Sequence, residues 1–180
     1  GLMTFLKEVF PEKQIYILGS GFKKAIPIFD EMDEVDDETI ASSLAIVVDV
    51  SDLERIEDQR VMSAKEIVKF DHHIGSDAPS FAKIQVSKTS ACSACQMIGE
   101  FILDNQYRIS KNVGERLFLG MVTDSGRFLY LSSSNNTFLV LNEIMKANID
   151  FQKIFDTLYE SDDVSTKAKG YIMYNFKTSE

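Results

Sequence analysis

Both histidines of this 180-residue chain lie side by side in the stretch KFDHHIG, directly after an aspartate. Asp49 ends an earlier apolar run, AIVVD, and Asp124 follows a third apolar run in MVTDSGRF. Two carboxylates and an imidazole suit a hard divalent ion such as Mn²⁺, whereas structural zinc sites favour sets of cysteine and histidine. We therefore predict that Asp49, His72 and Asp124 bind a metal ion.

The two adjacent histidines are predicted to have different tasks. Successive side chains of an extended segment point to opposite sides, so His72 and His73 are not expected to bind the same ion. One of the two can bind the metal while the other faces the substrate. Asp71, which precedes them, is predicted to orient an imidazole rather than to bind the ion, although direct ligation by Asp71 stays open.

Arg127 is the candidate phosphate contact. It follows Asp124 by three residues in DSGRF, and a guanidinium at that position can bind phosphate oxygens. The alternative for Arg127 is a surface salt bridge. Taken singly, Asp49 and Asp124 also have an alternative as turn or cap residues. The combination of both with a paired histidine favours the site.

Short apolar runs predict the strands that would place these side chains. KQIYILG is predicted to form a strand ending at Gly19, and LAIVVDVS a second, which has the continuous apolar character of a parallel strand. A third strand ends at the histidines, and FAKIQV is a fourth, at a sheet edge. The chain length between Asp49 and His72 fits one crossover to a neighbouring parallel strand. Both residues would then share one edge of the sheet, where α/β proteins bind ligands.

Helical periodicity dominates the second half of the chain. Ser90 or Ser93 is predicted to open a helix, and Ser110 opens another that runs to a break at residues 123–126. Both helices carry apolar residues at helical spacing, so each is expected to bury one face.

Three further helices are predicted after that break. NNTFLVLNEIMKANID places Phe138, Leu141 and Met145 on one face, DFQKIFDTLYES forms another helix, and the last residues are helical in propensity. Strands that alternate with helices indicate an α/β fold with a mainly parallel sheet and flanking helices.

Composition limits the partners. The net charge of −9 disfavours binding to long nucleic acid, which needs a basic surface, but allows a small anionic substrate that is held locally. No apolar run has the roughly 20 residues of a membrane span. Cys92 and Cys95 have C-x-x-C spacing without a second pair, which favours packing over metal or redox chemistry. Two cysteines predict no disulfide framework and a cytoplasmic setting.

Three segments together, VVDVSDLERI, FDHH and GMVTDSGRF, resemble the second, third and fourth motifs of the DHH phosphoesterases. The branch with the greatest similarity is that of the bifunctional oligoribonucleases and 3′-phosphoadenosine phosphatases, the nano-RNases. The similarity extends over nearly the whole chain, through GLMTFLKEVFPEKQIY, SKTSACSACQMIGEFI and DFQKIFDTLYE.

The resemblance implies a manganese-dependent phosphoesterase that acts on short oligoribonucleotides or 3′-phosphoadenosine 5′-phosphate. The complete enzyme would hold two Mn²⁺ ions, with Mg²⁺ as an alternative. Asp49 would bridge the ions, His72 and Asp124 would complete one of them, and His73 and Arg127 would contact the scissile phosphate. The choice among short RNA, the adenosine bisphosphate and cyclic dinucleotides stays open.

The family pattern also implies parts that this sequence does not contain. A first Asp-x-Asp motif is expected before residue 1, and a C-terminal substrate-binding domain after residue 180. We assign residues 1–165 to the DHH domain and residues 166–180 to the start of a linker helix. The chain alone is predicted to be inactive, with an unpaired sheet edge that favours a homodimer. Two other functions remain open. One is an inorganic pyrophosphatase or polyphosphatase, and the other is a catalytically silent nucleotide-binding module.

Overall fold

A computed structural model describes the chain at residues 1–19, 31–74, 80–130, 136–160 and 162–177. The chain divides into two units, Gly1–Ile149 and Asp150–Glu180. The candidate site residues all belong to the first unit. The domain boundary predicted at residue 165 remains a prediction.

The sheet of the first unit has three strands, β1 (Leu44–Val48), β2 (Glu66–Asp71) and β3 (Ile84–Ser87), in the order β1-β2-β3. Both neighbouring pairs are parallel, which confirms the predicted α/β fold and the three strands. Apolar and β-branched residues dominate β1 and the first half of β2, and such residues suit a pleated, covered surface. As predicted, β3 lies at an edge of this sheet.

The described part of the chain contains seven helices. Their bounds are α1 (Leu2–Val9), α2 (Asp37–Ser42), α3 (Ala94–Asp104), α4 (Lys111–Asp124), α5 (Asn136–Lys146), α6 (Phe151–Tyr159) and α7 (Asp163–Asn175). Short 3₁₀ turns occur at Leu53–Arg55 and Gln59–Ser63. None of the described helices is long and apolar enough to cross a membrane.

Side-chain caps fix where α3 and α4 begin. The hydroxyl of Ser93 accepts a hydrogen bond from Gln96 N at 3.0 Å, and that of Ser110 accepts one from Val113 N at 3.2 Å. Each cap satisfies an amide that has no partner within its helix. The predicted start at Ser110 is confirmed, and of the two serines proposed for α3, Ser93 is the cap.

The core forms where α3, α4 and α5 pack together. Ile102 of α3, Leu117 and Met121 of α4, and Ile144 of α5 are fully buried. Phe101 of α3 meets Phe70 of β2 edge-to-face, with ring centroids 5.7 Å apart. Because α3 packs against both β2 and α4, these contacts hold β2 and α4 together in the first unit.

One local prediction is wrong. Residues 13–19 form no strand, because the amide of Ile17 donates to the Asp33 carboxylate and its carbonyl accepts from Asp33 N instead of joining a ladder. The helix predicted after residue 135 is present as α5, and the face that carries Phe138 and Met145 is largely exposed. An adjacent face is buried through Thr137, Val140 and Ile144, and the Thr137 hydroxyl donates to a buried glutamine of α3.

The tight contact between α3 and α4 gives a stability prediction. A Cβ atom at Gly120 of α4 would overlap Cys95 Sγ of α3, whereas one at Gly170 of α7 meets nothing within 4 Å. Gly120→Ala should lower the free energy of unfolding by about 1–3 kcal/mol through overpacking. Gly170→Ala, the matched control, should raise it by up to about 1 kcal/mol through helix propensity. Urea denaturation checks both, and equal effects would contradict the close helix contact.

Candidate functional site

Asp49 lies at the edge of the sheet where β1 and β2 both end. The register pairs Val48 with Phe70, and Asp49 N donates to Phe70 O at 2.9 Å, so the pairing extends one residue beyond β1. Asp49 itself has a φ of 63°, in the left-handed region that residues other than glycine seldom adopt. This conformation turns the chain at the sheet edge, beside the end of β2.

His72 follows β2 and its ring is held from one side. Nδ1 lies 3.3 Å from the carbonyl oxygen of Ala91, in the loop between β3 and α3. A carbonyl oxygen only accepts, so this contact places the proton of a neutral imidazole on Nδ1 and leaves the lone pair on Nε2.

The other ring nitrogen of His72 faces two carboxylates. Nε2 lies 3.3 Å from Asp49 Oδ1 and 3.1 Å from Asp124 Oδ2. This nitrogen is buried and has no hydrogen-bond partner in the described part of the chain. A lone pair that faces two negatively charged oxygens is unfavourable, and a divalent cation between them removes the conflict. The donor set therefore fits a hard ion such as Mn²⁺ or Mg²⁺.

Asp124 reaches this point from the end of α4. The helix ends there because Ser125 takes the cap position and Arg127 N bonds back to Val122 O at 2.8 Å. Burial raises the pKa of Asp124, and the Asp49 carboxylate adds to the rise, although both imidazoles oppose it. A bound cation would counter that unfavourable charge.

The imidazoles of His72 and His73 do not point to opposite sides, which corrects the geometric premise of the sequence argument. Their ring centroids are 4.5 Å apart, because β2 ends at Asp71 and the backbone bends at His73. The ligand atoms of Asp49, His72 and His73 lie within 4.8 Å of one another. The separate tasks assigned to the two histidines remain a prediction.

Asp71 contacts the second histidine of the pair. Asp71 Oδ1 lies 2.7 Å from His73 Nδ1 and 3.3 Å from the His73 backbone nitrogen. The predicted orienting contact therefore exists and goes to His73. Nε2 is then the ring nitrogen of His73 that is left for a ligand or a substrate.

Lys69 is a residue of this region that the sequence argument missed. Its ammonium lies 3.2 Å from Asp71 Oδ2, and both side chains are buried. Burial alone would raise the pKa of Asp71, but the hydrogen bonds from His73 and Lys69 outweigh it and hold the pKa below its ordinary value. The signal was a lysine inside an apolar strand, two residues before Asp71 and thus on the same face.

Arg127 lies exposed just beyond α4, with a φ of 64°. Its predicted contact with phosphate remains a prediction. Cys92 is buried and Cys95 half-buried, and neither forms a disulfide. Burial raises the pKa of Cys95 to about 11, which disfavours a reactive thiolate and agrees with a packing role.

Comparison with known proteins now identifies the class to which this fold and site belong. Residues 1–121 match the DHH family, N-terminal domain. The chain belongs to the DHH family. The resemblance to that family predicted from the sequence is thereby confirmed.

Two curated relatives cover the full length of the chain or nearly so. The bifunctional oligoribonuclease and PAP phosphatase NrnA of Bacillus subtilis is 32% identical over 183 residues, which is 100% of this chain and 58% of that protein. The probable enzyme of the same name from Streptococcus mutans is 29% identical over 98% of this chain and 56% of that protein. The chain thus spans less than two thirds of these relatives.

A solved structure shares the fold. An exopolyphosphatase-related protein from Bacteroides fragilis matches with a TM-score of 0.72 and 25% identity, over 79% of this chain and 44% of that chain. This similarity agrees with the α/β fold described above.

The buried Lys69–Asp71 pair yields a second stability prediction. Asp71→Ala leaves a buried ammonium without its partner and should cost about 3–5 kcal/mol of unfolding free energy. Glu66→Gln breaks the exposed pair between Glu66 and Lys83 in the same sheet and should cost less than about 1 kcal/mol. Thermal and urea unfolding measure both variants. Similar costs would show that Asp71 is not held as an ionised buried partner.

Proposed function

We propose that the protein containing this chain is a phosphoesterase dependent on divalent metal ions. Its substrates are short oligoribonucleotides, 3′-phosphoadenosine 5′-phosphate, or both. The observation that supports this proposal most is the buried Nε2 of His72 between two carboxylates in a chain of the DHH family. The names of the Bacillus and Streptococcus relatives support the choice of substrates.

Asp49, His72 and Asp124 would hold the metal in the complete enzyme. We propose Mn²⁺ as the ion and Mg²⁺ as the alternative, because carboxylate oxygens and one imidazole suit both. When bound, such ions supply an activated water and offset charge on the phosphate oxygens.

The protein side chains would bind and orient the substrate. Asp71 holds His73 Nδ1, so that Nε2 of His73 is available for a phosphate oxygen. Arg127 would contribute a guanidinium to the same phosphate. Ala91 O holds the His72 ring and so keeps its Nε2 towards the two carboxylates. The net charge of −9 suits this local mode of binding, because a short substrate requires no extended basic groove.

A cytoplasmic setting and a homodimer complete the proposal. The two cysteines are not joined, as expected in a reducing compartment. Every residue of the edge strand β3 is exposed, which leaves an edge for association with a second copy.

Polyphosphate or pyrophosphate is the second candidate substrate class. The name of the Bacteroides fragilis neighbour favours it, and the metal site proposed above would serve a phosphoanhydride as well as a phosphoester. The two classes differ in the product released.

The test uses the whole product of the gene that encodes this chain, with added Mn²⁺. We expect release of mononucleotides from a diadenylate, or of phosphate from 3′-phosphoadenosine 5′-phosphate, and loss of both on addition of EDTA. Release of phosphate from pyrophosphate alone would favour the second candidate. Substrate binding without turnover would favour the silent nucleotide-binding module. The isolated 180-residue chain, assayed beside it, should show little or no turnover.

The two histidines can be separated by substitution in that whole protein. His72→Ala should weaken Mn²⁺ binding, because it removes the nitrogen that faces the two carboxylates. His73→Ala should leave Mn²⁺ bound but raise the reaction barrier by about 3–4 kcal/mol through lost charge stabilisation. Calorimetric Mn²⁺ titration and turnover rates measure the two effects. Equal loss of Mn²⁺ in both variants would show that His73 is also a ligand.

A further inference from the structure

Lys69 occupies a position where a lysine needs a specific reason. It lies in β2 between apolar residues, and only 3% of its surface is exposed. A buried ammonium is strongly unfavourable unless it is paired and hydrogen-bonded. Neither the proposed reaction nor the comparisons assign Lys69 any role.

The ammonium of Lys69 joins two segments of the site. Nζ donates to the backbone carbonyl of Ser51 at 2.7 Å and lies 3.2 Å from Asp71 Oδ2. Ser51 is two residues beyond Asp49 on the segment that follows β1, and Asp71 directly precedes His72 at the end of β2. The ring of Phe81 covers the ammonium, with its centroid 5.3 Å from Nζ.

The two oxygens of Asp71 have different partners. Oδ2 meets Lys69, and Oδ1 accepts from the ring and the backbone nitrogen of His73. Lys69 thus fixes the orientation of the Asp71 carboxylate, so that its other oxygen, Oδ1, stays against His73 Nδ1. A charged and fully partnered carboxylate of this kind selects one tautomer of the imidazole.

We propose that Lys69 is a positioning residue for the site. It ties the segment carrying Asp49 to the end of β2, and through Asp71 it keeps the proton of His73 on Nδ1. The consequence of this positioning for catalysis rests on the proposed function. The positioning itself is a property of the described chain and can be measured without substrate or metal.

NMR of the imidazole rings tests whether Lys69 keeps the proton of His73 on Nδ1, because the chain has only two histidines to assign. Long-range ¹H–¹⁵N spectra at a pH where both rings are neutral should show the Nδ1–H tautomer for His72 and His73. In Lys69→Met, His73 should shift to a mixture of tautomers, while His72, held by Ala91, keeps its own. Lys83→Met, which breaks an exposed ion pair of the same sheet, should change neither ring. An unchanged His73 in folded Lys69→Met would overturn the proposal, and so would an equal change in both rings.

A double variant decides the question if Lys69→Met does not fold. Lys69→Met combined with Asp71→Asn removes both buried charges together, so no ion is left unpaired. Compared with Asp71→Asn alone, the double variant should bind Mn²⁺ about 10-fold more weakly, because the segment carrying Asp49 is no longer tied to β2. Equal Mn²⁺ affinity of the two proteins would overturn the tie through Ser51. If the wild-type chain binds no Mn²⁺, the metal site proposed for the isolated chain fails, and the tautomer of His73 then decides the positioning by comparison of the double variant with Asp71→Asn. Equal tautomer populations of His73 in these two proteins would overturn the role of Lys69, and different populations would support it.

Discussion

The parallel pairing of β1 with β2 is the constraint on which the site depends. Val48 faces Phe70, and the next amide, that of Asp49, donates to Phe70 O. This register brings the carboxylate at the end of one strand beside the Asp-His-His sequence at the end of the next. A shift by one residue would turn every side chain of the strand to the other face of the sheet, and Asp49 would leave the site.

Charge then determines how these side chains are held. The charges of Lys69 and Asp71 offset each other at the end of β2, and the second oxygen of Asp71 contacts His73 Nδ1. Around His72 the balance is unfavourable, because two carboxylates face a ring nitrogen that has no hydrogen bond in the described part of the chain. The left-handed backbone of Asp49 adds strain at the same point. Unfavourable charge and strained backbone are both features that a bound cation would make tolerable.

The sequence predicted the sheet and the convergence at its edge for physical reasons. Apolar runs of strand length determine β1 and β2, and carboxylates that follow such runs must lie where parallel strands end. The strand assigned to residues 13–19 failed because periodicity does not reveal a ladder partner, and Ile17 instead bonds to Asp33. The buried face of α5 carries Val140, Ile144 and Thr137, and Thr137 bonds to Gln96 of another helix, a tertiary contact that no local pattern encodes. The two imidazoles lie on the same side because the backbone bends after β2. The sequence prediction assumed an extended backbone, in which successive side chains point to opposite sides.

The most direct test of this account is anomalous diffraction at the manganese edge from crystals of the chain grown with Mn²⁺. We predict a peak about 2.0–2.6 Å from His72 Nε2 and from a carboxylate oxygen of both Asp49 and Asp124. A structure that shows His72 Nε2 hydrogen-bonded between the two carboxylates, with no anomalous peak there at saturating Mn²⁺, would contradict the account.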